Sequence, residues 1–266
     1  MKKQTLLTLA AIITLTLAAF GSFSWNTTTP VSTTNHLTAL EHDQNMVTKT
    51  FKAFPDFIYD IGPRFSGIKK SEIKTYTSIA DFLDEDTYKN IDKVHTTSLI
   101  LVVNDRQTTT RANGTSGTFN KAQLKFLQTA TYATNFVMRV DYDEKDPQSG
   151  YTFDSYRSPH HTIVPEEQAY YSDGKEQLKL FLKESCQSVL IDVDPEKLKP
   201  AKLYFTVTKH GTIENINLDR DSGYPDVDKK MIELINNTPG TWQPAKNSKG
   251  EAVNQELVIS FGLMGC

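Results

Sequence analysis

The chain has 266 residues and a formal net charge of −3, which leaves room for one large domain or two ordinary ones and gives no compositional pull toward nucleic acid or acidic lipid. Neither of its two cysteines, Cys186 and Cys266, sits in the CxxC spacing of a redox or zinc centre, so thiol and metal chemistry are not expected. In an oxidising compartment the pair is a candidate disulfide; the alternative is one small buried residue and one free terminal thiol.

Lys2 and Lys3 lead into an apolar, charge-free run over residues 5–25. It reads either as a secretory signal peptide, cleaved after Ala19-Phe20-Gly21 or Ser22-Phe23-Ser24, or as an uncleaved anchor, although its core is short against the about 20 residues of a spanning helix. Both readings put the rest of the chain in the periplasm, soluble after cleavage or tethered to the inner membrane. Residues 26–50, rich in Thr, Ser and Asn, are expected to form a flexible linker.

An aromatic-rich stretch with Phe51, Phe54, Phe57, Tyr59 and Phe65 opens a β-rich domain over residues 51–164. Residues 98–103 form a short apolar run, most simply a buried strand, and residues 105–117 read as a Thr- and Gly-rich loop. Asn120 is placed to cap a helix bearing Leu124 and Leu127. Phe136, Met138, Val140 and Tyr142 alternate with polar or smaller residues, and residues 151–156 form the hairpin partner of that strand. His160 and His161 are adjacent, so they point to opposite sides of an extended chain, and they read as surface loop. Asp141-x-Asp143-x-x-Asp146 and Asp219-x-Asp221-x-Gly223 both lack the glycine of a calcium loop and read as solvated turns.

Residues 165–266 form the next unit. Leu178, Phe181, Leu182 and Ser185 follow Ser172-Asp173-Gly174 at helical spacing, and residues 189–191 could add a short strand. Leu203, Phe205 and Val207 alternate, and the turn Lys209-His210-Gly211-Thr212 returns the chain as a hairpin. Asp226 is a plausible cap for a second helix with Val227, Met231, Leu234 and Ile235 on one stripe. Trp242 then covers the helix–sheet core, and a long alternating strand ends the chain.

The ordered set Pro200-Ala201, Phe205-Thr206-Val207, His210-Gly211-Thr212-Ile213, Val227-Asp228, Trp242-Gln243-Pro244-Ala245, Gly250-Glu251 and Val253 resembles the TonB C-terminal domain, and Gly174 with Leu178 and Phe181-Leu182 matches the helix that precedes it in one branch. The resemblance covers residues 165–264 and implies a three-stranded antiparallel sheet with two helices there; with the β-rich middle domain ahead of it, the expected fold class is α+β. It also implies a non-enzymatic, cofactor-free periplasmic protein that contacts an outer-membrane TonB-dependent receptor or transporter by adding the partner's peptide as a strand. An inner-membrane proton-driven motor complex is the further partner the family would bring; a dimer is left open.

The contact is expected on the edge formed by Asn254, Gln255, Glu256, Leu257, Val258, Ile259, Ser260 and Phe261, together with Gln168, Tyr170 and Tyr171, the loose counterpart of the family's Gln-Pro-Tyr segment. The chain departs from the family in having no ionisable residue in its apolar run, no long Pro-rich spacer, and Ser172-Asp173-Gly174 where the branch has Pro-Gly-Gly. A non-energised structural or peptide-binding protein with the same fold is the alternative. In the middle domain, Ser66-Gly67-Ile68 and Ser116-Gly117-Thr118-Phe119 leading into Gln123-Leu124 resemble the β-rich modules of the gliding and type-nine secretion shaft protein, which implies a spacer or docking role.

Overall fold

Among the described residues, period-2 alternation builds the two large sheets, with two short two-stranded pairs beside them, and helices close one face of each large sheet. The computed structural model describes residues 54–263 and is a mixed α+β, sheet-rich fold. The expected signal or anchor, the linker and Cys266 lie outside the described residues. Among the described residues no helix is long and apolar enough to cross a membrane.

In chain order the elements are β1 (Ile58–Gly62), β2 (Ser66–Lys69), α1 (Lys70–Ile73), α2 (Glu85–Lys89), β3 (Ile91–Val103), β4 (Arg106–Gly114), α3 (Lys121–Thr129), β5 (Asn135–Lys145), β6 (Thr152–Arg157) and β7 (His160–Val164). The chain continues with β8 (Tyr170–Tyr171), α4 (Lys175–Cys186), β9 (Ala201–Val207), β10 (Ile213–Arg220), α5 (Pro225–Asn236), β11 (Trp242–Gln243), β12 (Ala245–Lys246), β13 (Ala252–Val253) and β14 (Gln255–Gly262).

The first sheet has six strands in the order β2-β7-β5-β3-β4, with β6 also paired to β5. Only the β2–β7 pair is parallel. Phe136, Met138, Val140 and Tyr142 of β5 are fully buried on its helix side with Leu99, Ile73 and Leu127. As anticipated, Asn120 caps α3, its side chain accepting from the Ala122 and Gln123 amides at 2.9 and 3.1 Å.

Three readings of this region are corrected. The loop placed at residues 105–117 contains β4, because Asn104 and Asp105 both take left-handed φ (50° and 58°) and close a tight hairpin after which a Thr-rich strand pairs back. The histidine pair lies on β7, not in a loop, and His161 is only 7% exposed between the rings of Phe82 and Phe136. Asp141 and Asp143 lie on β5 itself; Asp146 alone serves the turn, accepting from the amides of Gln148 and Ser149.

The second sheet is antiparallel, in the order β1-β14-β9-β10. Its helix side is one core, where Leu203, Phe205, Val207, Leu257, Ile259 and Phe261 meet Leu178 and Leu182 of α4 and Met231 and Ile235 of α5. Trp242 covers this core as expected, 5.3 Å from Phe205 and 5.6 Å from Tyr171. Residues 189–191 are not a strand but leave a short 3-10 turn. Asp226 does not cap α5: Tyr224 holds the cap position without a side-chain bond, Pro225 opens the helix, and Asp228 instead accepts from the Ser222 amide.

The expected sheet of three strands has four. Ile58–Gly62, which the sequence places in the middle domain, belongs to the C-terminal sheet, and the described residues form part of one compact unit. The physical reason is the alternation Phe57, Tyr59, Ile61. All three side chains are buried in the C-terminal core, at about 1.5–3 kcal/mol for each large apolar group.

A second joint ties the two sheets. The β3–β4 tip brings Asp105 onto the helix-free face of the C-terminal sheet, where Arg64 lies 2.9 Å and Lys202 3.2 Å away. Arg64 also meets Asp219 at 2.8 Å, with the arginine side chain only 6% exposed. Asp219 is therefore an ion-pair residue and not part of a solvated turn. Burial works against the charge on Asp105, yet the bonds from Arg64 and Lys202 hold its carboxyl below the ordinary range.

Candidate functional site: the margin of the C-terminal sheet

The strand expected to offer a free edge is an inner strand. β14 pairs with β9 from Gln255 to Phe261 and with β1 from Val258 to Gly262. Over Val258, Ile259, Ser260 and Phe261 both sides of the ladder are therefore occupied by this chain's own strands. Leu257, Ile259 and Phe261 face the helices as core, whereas Glu256, Val258 and Ser260 face the opposite side. Burial raises the Glu256 carboxyl, with Arg64 drawing it down and Asp219 pushing it up.

Ahead of the β1 pairing, β14 is held by side chains. Asn254 accepts from the Lys209 amide at 2.7 Å, which fastens the start of the strand to the β9–β10 turn. Gln255 is 4% exposed; its carbonyl accepts from the Ala169 amide at 2.7 Å and its amide donates to Gln168 at 3.2 Å. The two expected patches are thus brought together through Gln168 and Gln255. They do not share one face, however. Tyr171 is a core residue whose hydroxyl donates to the Pro239 carbonyl and whose strand pairs with β11, while Tyr170 is 59% exposed. Of the expected contact residues, Gln168, Tyr170 and Asn254 are exposed.

The sheet has two outer strands, β1 and β10, and the margin along β1 is the one beside an apolar cleft. That cleft, of about 990 Å³, has walls that include Phe54, Phe57, Tyr59, Leu190, Ile191 and Val193. A smaller cleft of about 390 Å³ continues along Ile58 and Leu180. Three large apolar side chains stand out in water here: Ile58 at 48%, Leu180 at 45% and Ile191 at 73% exposure. Lys175 and Lys183 of α4, two turns apart, reach Asp60 of β1 and Asp56 just ahead of it at 3.3 and 2.6 Å, pairing this segment with the helix.

Beneath this margin the Tyr59 hydroxyl is buried without a hydrogen-bond partner among the described residues, beside the Cys186 thiol. Cys186 is fully buried in the core, and burial pushes its thiol up to about 11. Its proposed disulfide partner, Cys266, lies outside the described residues.

Sequence reasoning missed this margin because it placed β1 in another domain. The available signal was the period-2 run Phe57, Tyr59, Ile61 between Pro55 and Pro63, the pattern of a short edge strand. The Arg64–Asp105–Asp219 group had no such signal, since its members come from three distant segments. No family model, curated protein or solved structure matches the chain.

Proposed function

We propose that this chain is a non-enzymatic cell-envelope protein that binds an extended segment of an outer-membrane transporter or receptor by strand addition, and that the strand it offers is β1 instead of β14. One observation carries the reading: of the two outer strands of the C-terminal sheet, β1 runs beside an apolar cleft rimmed by exposed Ile58, Leu180 and Ile191. An edge strand supplies unpaired N–H and C=O groups for any extended peptide, and the adjoining cleft supplies pockets for alternate side chains. The resemblance to the TonB C-terminal domain supplies the partner class. Coupling to a proton-driven motor belongs to the same reading, and a cleaved soluble product found by fractionation and N-terminal sequencing would favour the non-energised form instead.

The test uses peptides from receptor plug-domain N-termini. Binding by the full chain is expected to weaken about tenfold or more in Leu180→Asp and Ile191→Asp, exposed positions where a charge leaves the core intact. A cross-strand disulfide from Asp60→Cys with Ser260→Cys, directly opposed residues, pins β1 to β14. Binding that survives this lock supports the outer side of β1 as the site. Loss of binding in the locked form, restored by reductant, would move the site back to β14 with β1 displaced, and indifference to both charge substitutions would remove the cleft from the model of recognition.

A further inference from the structure

On the helix-free face of the six-stranded sheet, three neighbouring strands converge on one point. His95 of β3, Asp143 of β5 and Asp154 of β6 each offer one donor atom, and these atoms all lie within 4.8 Å of one another. The His95 Nε2 is 2.7 Å from Asp143 Oδ1, and Asp143 and Asp154 are directly opposed across the β5–β6 ladder. Two carboxylates in that relation repel each other and weaken the pair unless a cation lies between them.

The backbone is shaped to bring the imidazole there. Along β3, Val94 pairs with Tyr142 and Thr96 with Asp141, so His95 is the extra residue of a β-bulge. Without the bulge, alternation would leave His95 in register with Asp141; the inserted residue re-aims its ring toward Asp143. A second shift lies just upstream, between Ile91 and Lys93. The surrounding charges are Lys93, opposite Asp143, and Asp141, which Arg139 and Thr96 already hold at 2.6 and 2.9 Å. Asp141 is thus a neighbouring orienting group and not a third carboxylate ligand.

We infer that His95, Asp143 and Asp154 form a binding site for a divalent first-row transition-metal ion. One imidazole nitrogen and two carboxylate oxygens make a borderline-hard donor set that suits zinc or manganese better than calcium, and three protein ligands leave coordination positions open to water. The ion would replace the direct His95–Asp143 bond, neutralise the opposed carboxylates and tie β6, an edge strand, to β3 and β5.

Zinc titration of the full chain by calorimetry, followed by cobalt substitution with visible spectroscopy, tests the site. The wild type is expected to take up zinc in the micromolar range, with a cobalt spectrum free of thiolate charge transfer at this site and a raised unfolding temperature. His95→Ala and the isosteric Asp154→Asn are each expected to lower that affinity about tenfold or more while keeping the metal-free fold by circular dichroism. A wild type without saturable zinc or manganese binding, or variants that bind as tightly and in the same stoichiometry, would overturn the assignment.

Discussion

His161 shows what one buried titratable side chain does to a β-rich core. Packed between Phe82 and Phe136 with neither ring nitrogen hydrogen-bonded among the described residues, it is held at a pKa of about 4 by burial, against 6.5 in an exposed chain. The unfolded chain therefore takes up a proton from pH 6.5 downward that the folded protein refuses. The stability this residue carries is complete above pH 6.5 and is lost as the pH falls to about 4, a change on the order of 3 kcal/mol. Urea unfolding at pH 7 and 4.5 should show that fall in the wild type and a much flatter dependence in His161→Phe. The carboxylates held low by hydrogen bonds, such as Asp105, act in a more acid window. Nothing in the dipeptide His160-His161 announces this; burial of one ring and exposure of the other follow from strand alternation once β7 is in the sheet.

At the scale of elements, local chemistry was legible where a side chain acts on its own backbone. Asn120 caps α3, and the alternation from Phe136 to Tyr142 is the buried face of β5, because both depend on residues a few positions apart. β4 escaped because Thr, Asn and Gly in sequence suggest a loop, whereas the left-handed Asn104-Asp105 pair makes the same residues the return strand of a hairpin. The β9–β10 turn was read correctly and has a sharper requirement than its sequence reveals. Gly211 has φ of +79°, and a Cβ there would sit 2.5 Å from the Trp242 carbonyl. Gly211→Ala should cost about 2 kcal/mol or more, from backbone conformation and displacement of the core-covering segment together. Gly250 provides the comparison, with φ of +76° and open space around it. Gly250→Ala should cost only the conformational part, about 1 kcal/mol, in denaturant titrations run side by side.

For the whole molecule, the helices, hairpin and last strand of the C-terminal sheet were readable, but its margin was not. A chain read in order assigns Ile58–Gly62 to whatever follows it, and only tertiary burial of Phe57, Tyr59 and Ile61 reassigns it to a sheet completed at the other end. The candidate site moved with it, by one strand, from a concealed ladder to an open one. The metal-type cluster was illegible for a related reason: Asp143 and Asp154 are joined by a hairpin and His95 depends on a bulge, so no fixed spacing in the sequence encodes them.

The β1–β14 pair also sets the order in which the molecule can be assembled. Ile58 lies opposite Gly262, about 200 residues along the chain, so this ladder is a non-local contact whose loop-closure entropy must be met before the pairing returns anything. The C-terminal core accordingly keeps one side open until β14 has formed, and β1 waits unpaired with the three large apolar side chains of Phe57, Tyr59 and Ile61. In a chain without residues 1–53, joining Leu263 to Phe54 through a short Gly-Ser linker, with new termini in the exposed turn after Asp146, converts this closure into a simple hairpin. Such a permutant should lower the closure cost by about 2–3 kcal/mol and refold faster, followed through Trp242 fluorescence. A refolding rate unchanged by permutation would place β1 docking after the rate-limiting step. The fold thus has a seam, and the seam is the β1–β14 ladder.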